Sequence, residues 1–190
     1  DLWDLIGILH QGSGNFVRCI DELRDRIRGV KVEVLTPDFR GREADIDRVI
    51  DARPDVFNHN IETVPSLYLK TRPGARYQRS LDLLSRVAAA GEPAEGRRRM
   101  WVKSGLMLGL GESSEEVQSL LEDLYRAGVR IVTIGQYLQP DRDSLPVVEY
   151  IHPDQFEQWR EIGEQIGFSM VFSGPFVRSS YMADAQVPLS

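Results

Sequence analysis

The chain has 190 residues, 42% hydrophobic and 27% charged, with a formal net charge of −6. That length and composition suit one globular domain with a sizeable core, and the acidic balance argues against a broad nucleic-acid surface, because phosphate binding needs a basic field. Its single cysteine, Cys19, excludes disulfide frameworks, thiolate zinc sites and complete iron–sulfur sites within the chain. No run is apolar for long enough to span a bilayer, and the start at Asp1 carries neither a charged n-region nor a transit-peptide bias. The expectation is a soluble protein without a membrane partner.

Residues 1–15 have apolar character but no sustained period, and are expected to be irregular. Phe16, Cys19, Ile20, Leu23 and Ile27 recur at three and four, the inner stripe of a helix that Gly29 should stop. On that stripe Cys19 reads as a small buried hydrophobe. The alternating, β-branched run Val30 to Leu35 predicts a strand, with Asp38 just beyond its carboxyl end. A helix is expected from Glu43 to Ala52, then a short strand over Asp55 to Asn60. Asn58, His59, Asn60 and Glu62 pile up at its end. Such a cluster either orients a zwitterion, with Glu accepting from an ammonium, or satisfies turn backbone. The segment Leu67 to Arg79 is polar, with a turn at Arg72-Pro73-Gly74. Leu81, Leu84 and Val87 mark the next helix, and Gly91 to Arg99, which contains Arg97-Arg98-Arg99, reads as a solvated loop.

Trp101 to Leu108 predicts a strand buried on both faces, ended by Gly109, Gly111 and Glu112. Ser113 and Glu116 match a capping box, and Val117, Leu120, Leu121 and Leu124 follow at helical spacing up to Gly128. Strand, glycine turn and helix in this order place ligands at the strand's carboxyl end, although glycines alone also make an ordinary tight turn. Val129 to Tyr137 is a further strand with Gln136 and Gln139 at its end. A helix then carries Phe156, Trp159, Ile162 and Ile166, and Phe168 to Phe172 is the last strand. The alternation predicts an α/β fold with a parallel sheet, a partial (β/α) barrel, because polar strand ends are spread over four strands rather than one switch point.

Five stretches together resemble lipoyl synthase. They are Val32-Glu33-Val34-Leu35-Thr36-Pro37-Asp38-Phe39-Arg40-Gly41, Phe57-Asn58-His59-Asn60-Ile61-Glu62-Thr63-Val64-Pro65, Lys103 to Glu112, Gly135-Gln136-Tyr137-Leu138-Gln139-Pro140, and Gly174 to Tyr181. Within them, Gly105-x-Met107-x-Gly109-x-x-Glu112 resembles the strand-five motif of radical S-adenosylmethionine (SAM) enzymes, which lies near the adenosine. The resemblance implies a partial barrel of radical SAM type over residues 16–183, followed by a tail over 184–190. It also implies an enzyme that inserts two sulfur atoms into an octanoyl chain on a lipoyl-domain protein. The family cleaves SAM reductively with one 4Fe-4S cluster and sacrifices a second as sulfur source, with an electron donor such as ferredoxin or flavodoxin. Carried onto this sequence, the cofactor contacts are Asn60, Glu62, Lys103, Gly105, Met107, Gly109 and Glu112. Ser179 or Ser180 is the auxiliary-cluster ligand, and Arg178 positions that motif, contacts substrate or forms a surface ion pair.

The departures are equally specific. The cysteine triplets of both clusters and the first barrel strands are absent, residues Trp3 to Gly12 do not fit the family pattern, and Gly91 to Met100 is longer than expected. The chain therefore reads as a carboxyl-terminal portion, inactive alone, with exposed sheet edges that favour aggregation. The compartment would be bacterial cytoplasm, mitochondrial matrix or plastid stroma. Two other readings stay open: a cysteine-free relative that binds a nucleoside or acyl ligand, and a generic barrel enzyme using Asp38, His59 and Glu112 as acid–base groups.

Overall fold

Strand and helix alternate along the chain in the computed structural model, which describes residues 12–93 and 98–180. The order is α1 (Gly12–Arg26), β1 (Glu33–Leu35), α2 (Glu43–Asp51), β2 (Val56–Asn58), α3 (Tyr77–Gly91), β3 (Trp101–Leu108), α4 (Ser114–Arg126), β4 (Ile131–Gln136), α5 (Pro153–Ile166) and β5 (Met170–Gly174). All pairings are parallel and the sheet runs β1-β2-β3-β4-β5. Crossovers of one hand between successive neighbours put their helices on one face of the sheet. That face is the dry one: Val34, Phe57, Val102, Leu106, Val132 and Ile134 share a core with Ile46, Val49, Leu84, Leu120, Leu121 and Phe156. The opposite, inner face carries Glu33, Asn58, Lys103, Gly105, Thr133 and Gly135, placed there by strand alternation and register. This is the strand winding of a partial barrel.

Local chemistry sets the boundaries. The expected capping box is present, Ser113 accepting from the Glu116 N–H and Glu116 from the Ser113 N–H, and α5 ends at Gly167 with φ 113°. β1 is shorter than expected because Asp55 intercepts the chain before it. Its carboxylate accepts the Val32 N–H at 3.0 Å and pairs with Lys31 at 2.9 Å. The polar stretch after Val64 contains a 3-10 turn at Pro65–Leu67 and a one-turn helix at Tyr68–Thr71 whose Tyr68 is buried. β5 starts and ends two residues later than expected.

Two expectations need correction. Residues 12–15, expected to be irregular, already belong to α1, whereas residues 1–11, 94–97 and 181–190, including Tyr181 and the expected tail over 184–190, lie outside the described residues. Cys19 is exposed, as are Leu23 at 39% and Ile27 at 51%. Of the expected stripe only Phe16 and Ile20 pack inward, joined by Ser13, whose buried hydrogen bond of 2.6 Å to Asp45 fixes that rotation.

His59 ends β2 pointing toward the helices. Its Nδ1 lies 2.9 Å from the Thr36 carbonyl and its Nε2 2.9 Å from the Ser80 hydroxyl. Ser80 in turn meets the Tyr68 hydroxyl at 2.8 Å, which accepts from Arg72 at 3.0 Å. Arg72 only donates and a carbonyl only accepts, so the whole relay runs one way and Nε2 is an acceptor. Burial, with the nearby Arg72 cation, lowers the His59 pKa to about 4 against the opposing pull of the Thr36 carbonyl. A neutral, 1% exposed imidazole with both nitrogens engaged is a structural group, which removes it from the acid–base reading. Because the unfolded imidazole titrates near 6.5, protons bind the unfolded chain more tightly. Stability is therefore complete above about pH 6.5 and falls toward pH 4, by about 3 kcal/mol. Urea unfolding across that range should show this loss, and His59→Gln should abolish this part of the pH dependence.

Candidate functional site at the carboxyl ends of β2, β3 and β4

Beyond β2 the chain continues along β3 without forming a regular strand. Glu62 bridges to Leu106: its N–H donates to the Gly105 carbonyl at 3.0 Å, and its carbonyl accepts from the Met107 N–H at 2.9 Å. Its φ is 72°, a left-handed conformation that costs a glutamate about 1 kcal/mol or more and is held here by those two bonds. Burial raises the Glu62 pKa above its ordinary 4.5, offset in part by Arg72 and by a hydrogen bond with the Asn60 side chain. Arg72, read from sequence only as a turn residue, donates to the Asn60 carbonyl at 3.0 Å and fixes this corner from behind.

Asn60, Glu62, Gly105 and Met107 line one cavity of about 260 Å³, with Thr133, Gly135, Arg178 and Ser179. The Asn60 Oδ1 is buried there without a hydrogen-bond partner. Gly105 has no side chain because a Cβ would stand 2.5 Å from Thr133 Oγ1 and 2.9 Å from Asn60 Oδ1. Glu62 and Met107 also line a neighbouring cavity of about 600 Å³ with Lys70, Arg72, Tyr137 and Asp143. Two adjoining spaces that share a carboxylate and a thioether fit a ligand with a charged end and an apolar end.

Most of the other sequence-derived candidates are engaged around the cavity, and of these Gln136 and Ser179 also line it. Both oxygens of Glu112 accept turn N–H groups, from Gly109 and from Leu110 at 2.9 Å, so this carboxylate holds the turn itself. Gly109, with φ 99°, is pressed by the Glu149 carbonyl and the Gln136 amide. Gln136 fastens the loop after β4, donating to the Leu108 and Glu149 carbonyls and accepting from Ile151. Lys103 is wholly buried below the cavity, where its ammonium stands 2.8 Å from Glu33 Oε1 and donates to the Ser179 carbonyl. Ser179 lines the cavity and Ser180 beside it is exposed. Asp38 accepts the Arg40 N–H and pairs with Arg79; burial raises its pKa, but these two partners outweigh it and leave the carboxyl below its usual range. The proposed trio of Asp38, His59 and Glu112 is thus three separately engaged groups.

Sequence reading missed Glu33, Thr133 and Arg72. The first was legible: in Val32-Glu33-Val34 the valines belong to the helix side, so Glu33 had to face inward. A further cavity, of about 400 Å³, lies at the amino ends of the strands among Arg24, Lys31, Arg53, Asp55, Arg98 and Arg99. Arg24 and Arg53 are spent there on the carbonyls of Ala52 and Ala90 at helix ends, away from the polar strand ends.

No cysteine cluster is assembled. Cys19 is exposed on α1, and among the described residues no three His, Cys, Asp or Glu side chains are grouped to hold a metal ion. No described helix is long and apolar enough to cross a membrane.

Residues 13–124 match the model of the radical SAM superfamily. The lipoyl synthase of Syntrophotalea carbinolica is 51% identical over 176 residues, 92% of this chain and 55% of that protein. That of Idiomarina loihiensis is 51% identical over 177 residues, 92% of this chain and 53% of that protein. The chain spans about half the length of the curated relatives it matches. The crystal structure of Streptococcus suis SuiB matches with a TM-score of 0.51 and 12% identity, over 88% of this chain and 44% of that one, a likeness of fold. Sheet order, family match and relatives agree: the chain belongs to the radical SAM superfamily.

Proposed function

We propose that this chain is the carboxyl-terminal part of a lipoyl synthase and supplies much of its SAM-binding wall. The observation that carries this reading is the 51% identity to lipoyl synthases across strands whose carboxyl ends wall one cavity. SAM fits the residues present. Glu62 would accept from its ammonium, the unpartnered Asn60 Oδ1 would offer a second acceptor, Gly105 leaves room, and Met107 would supply an apolar contact. When bound and reduced, SAM supplies the hydrogen-abstracting radical that an unactivated C–H bond requires. The protein's part is to orient it and exclude water. In this reading Ser179 or Ser180 serves the auxiliary cluster, Gly109 and Glu112 shape the turn near the adenosine, and Lys103 acts beneath the cavity. The partners would be an octanoylated lipoyl-domain protein and a ferredoxin or flavodoxin.

The clusters do not fit this chain alone, because one exposed cysteine cannot ligate them, so no lipoylation is expected from it. Reconstitution with iron and sulfide should give no stoichiometric cluster absorbance. A stable cluster at one equivalent would overturn this.

SAM binding to the chain, followed by calorimetry, tests the cavity. Glu62→Gln should weaken it roughly tenfold to a hundredfold and Asn60→Ala several-fold, the range for hydrogen bonds to charged and neutral partners. Wild-type affinity should fall as pH drops through the raised Glu62 pKa, where the carboxylate protonates, and Glu62→Gln should flatten that profile. Unchanged affinity in both variants would remove the SAM assignment.

A further inference from the structure

After β5 the chain does not leave the sheet. Residues 175–180 turn back across the inner face, and two features of that face receive them. The first is Gly135 in β4: a Cβ there would stand 2.3 Å from the Val177 carbonyl, so the segment lies directly on the strand backbone and Val177 is buried. The second is Lys103 in β3, which donates to the Ser179 carbonyl. The segment is tied back to the end of β5 by the Val177 N–H, which donates to the Gly174 carbonyl at 3.1 Å, and within it Arg178 donates to the Val177 carbonyl at 2.7 Å.

Lys103 is 0% exposed, and burying an ammonium is expensive unless it is paired and hydrogen-bonded. Its carboxylate partner, Glu33, comes from β1 and is oriented by Asn58 of β2, whose amide donates to Glu33 Oε1 at 3.0 Å. One charge row therefore crosses three strands and ends on the segment. Arg178 and Ser179 of the segment also wall the 260 Å³ cavity.

We propose that residues 175–180 form a strap that closes one side of the cavity, and that Lys103 is its positioning residue, transmitting the fixed place of Glu33 and Asn58 to the Ser179 carbonyl. The proposal rests on the proposed function in taking the cavity as the ligand site, and it adds how the Arg178-Ser179-Ser180 motif is held there. Lys103 touches neither ligand nor reacting atoms in this role. Gly135 is the second, independent anchor.

Amide hydrogen exchange on the unliganded chain reads the strap directly. Lys103→Met, and separately Gly135→Ala, should each speed exchange over residues 175–180 roughly tenfold or more while β4 amides change less than about twofold. Lys103→Arg, which keeps a charged donor, should restore most of the protection. Unchanged exchange in the strap in both variants would overturn the proposal. So would a uniform loss across strap and β4 in both, since Lys103 and Gly135 would then be core residues only. Unchanged strap exchange in Lys103→Met alone would remove Lys103 as the positioning residue, and if that variant fails to fold, strap exchange in Lys103→Gln decides the same point. SAM titration of the wild type separates the two inferences: absence of binding would sink the proposed function, whereas the exchange result, obtained without ligand, stands by itself.

Discussion

The structure depends on one constraint: a parallel sheet wound in strict sequence order has helices on one face only. On the helix side the sheet is mostly apolar, and the few polar groups there, Ser104, Gln136 and His59, are spent on hydrogen bonds that hold loops and helices in place. On the other side, polar groups have only one another as partners. A lysine there at 0% exposure persists because Glu33 meets it and the Ser179 carbonyl accepts from it. Breaking either contact leaves a buried charge with fewer partners than it needs. The charge row, the cavity and the returning carboxyl segment are consequences of the same one-sided covering.

Five residues at the end of β2 show how sharply that sidedness sorts chemistry. Asn58 faces inward, His59 faces the helices, and Asn60 faces inward again, as strand alternation requires. His59 consequently loses its proton and becomes part of a relay from Arg72 to Thr36, while Asn60 keeps an unpartnered acceptor beside the cavity. Glu62 then takes a left-handed backbone turn and bridges to β3, and its carboxyl ends up beside Asn60. Strain at a half-buried acidic residue that borders a cavity is a pattern found at functional sites, where surrounding bonds over-determine the conformation. Here two backbone bonds to β3 supply that over-determination.

The alternation of strands and helices was legible because the helices after α1 carry clean 3.6-residue stripes bounded by start or stop signals. Helix α4 with its capping box and apolar run is the clearest case. Strand ends were less legible: Val30 to Val32 has the composition of a strand, but a side chain, Asp55, takes the N–H that a ladder would have used. Cys19 was misplaced because the apolar spacing on α1 does not show that Ser13, a polar residue, is buried against Asp45, and that contact turns Cys19 outward. For the site, residue types at strand ends were readable, but their engagement was not. Asp38 and Glu112 look like free carboxylates in sequence, and only tertiary structure shows Arg79 on one and two turn amides on the other. Lys103 and Glu33, seventy positions apart, announce no partnership in sequence.

The glycines make the same point from the side of empty space. Gly109 and Gly111 have φ of 99° and 106°, so their freedom is conformational, and the space they open is filled by the Glu112 carboxylate and the loop after β4. Gly105 and Gly135 sit within strands, and neither has a left-handed φ that would demand glycine. What each avoids is collision: a Cβ at the first would strike Thr133 and Asn60, and at the second the Val177 carbonyl. A tight turn needs glycine for its torsion, whereas a cavity on a sheet face needs glycine for a missing atom. The conspicuous cluster in the sequence is of the first kind. The two isolated glycines, one in β3 and one in β4, are of the second, and they mark the floor of the cavity and the seat of the strap that bounds it.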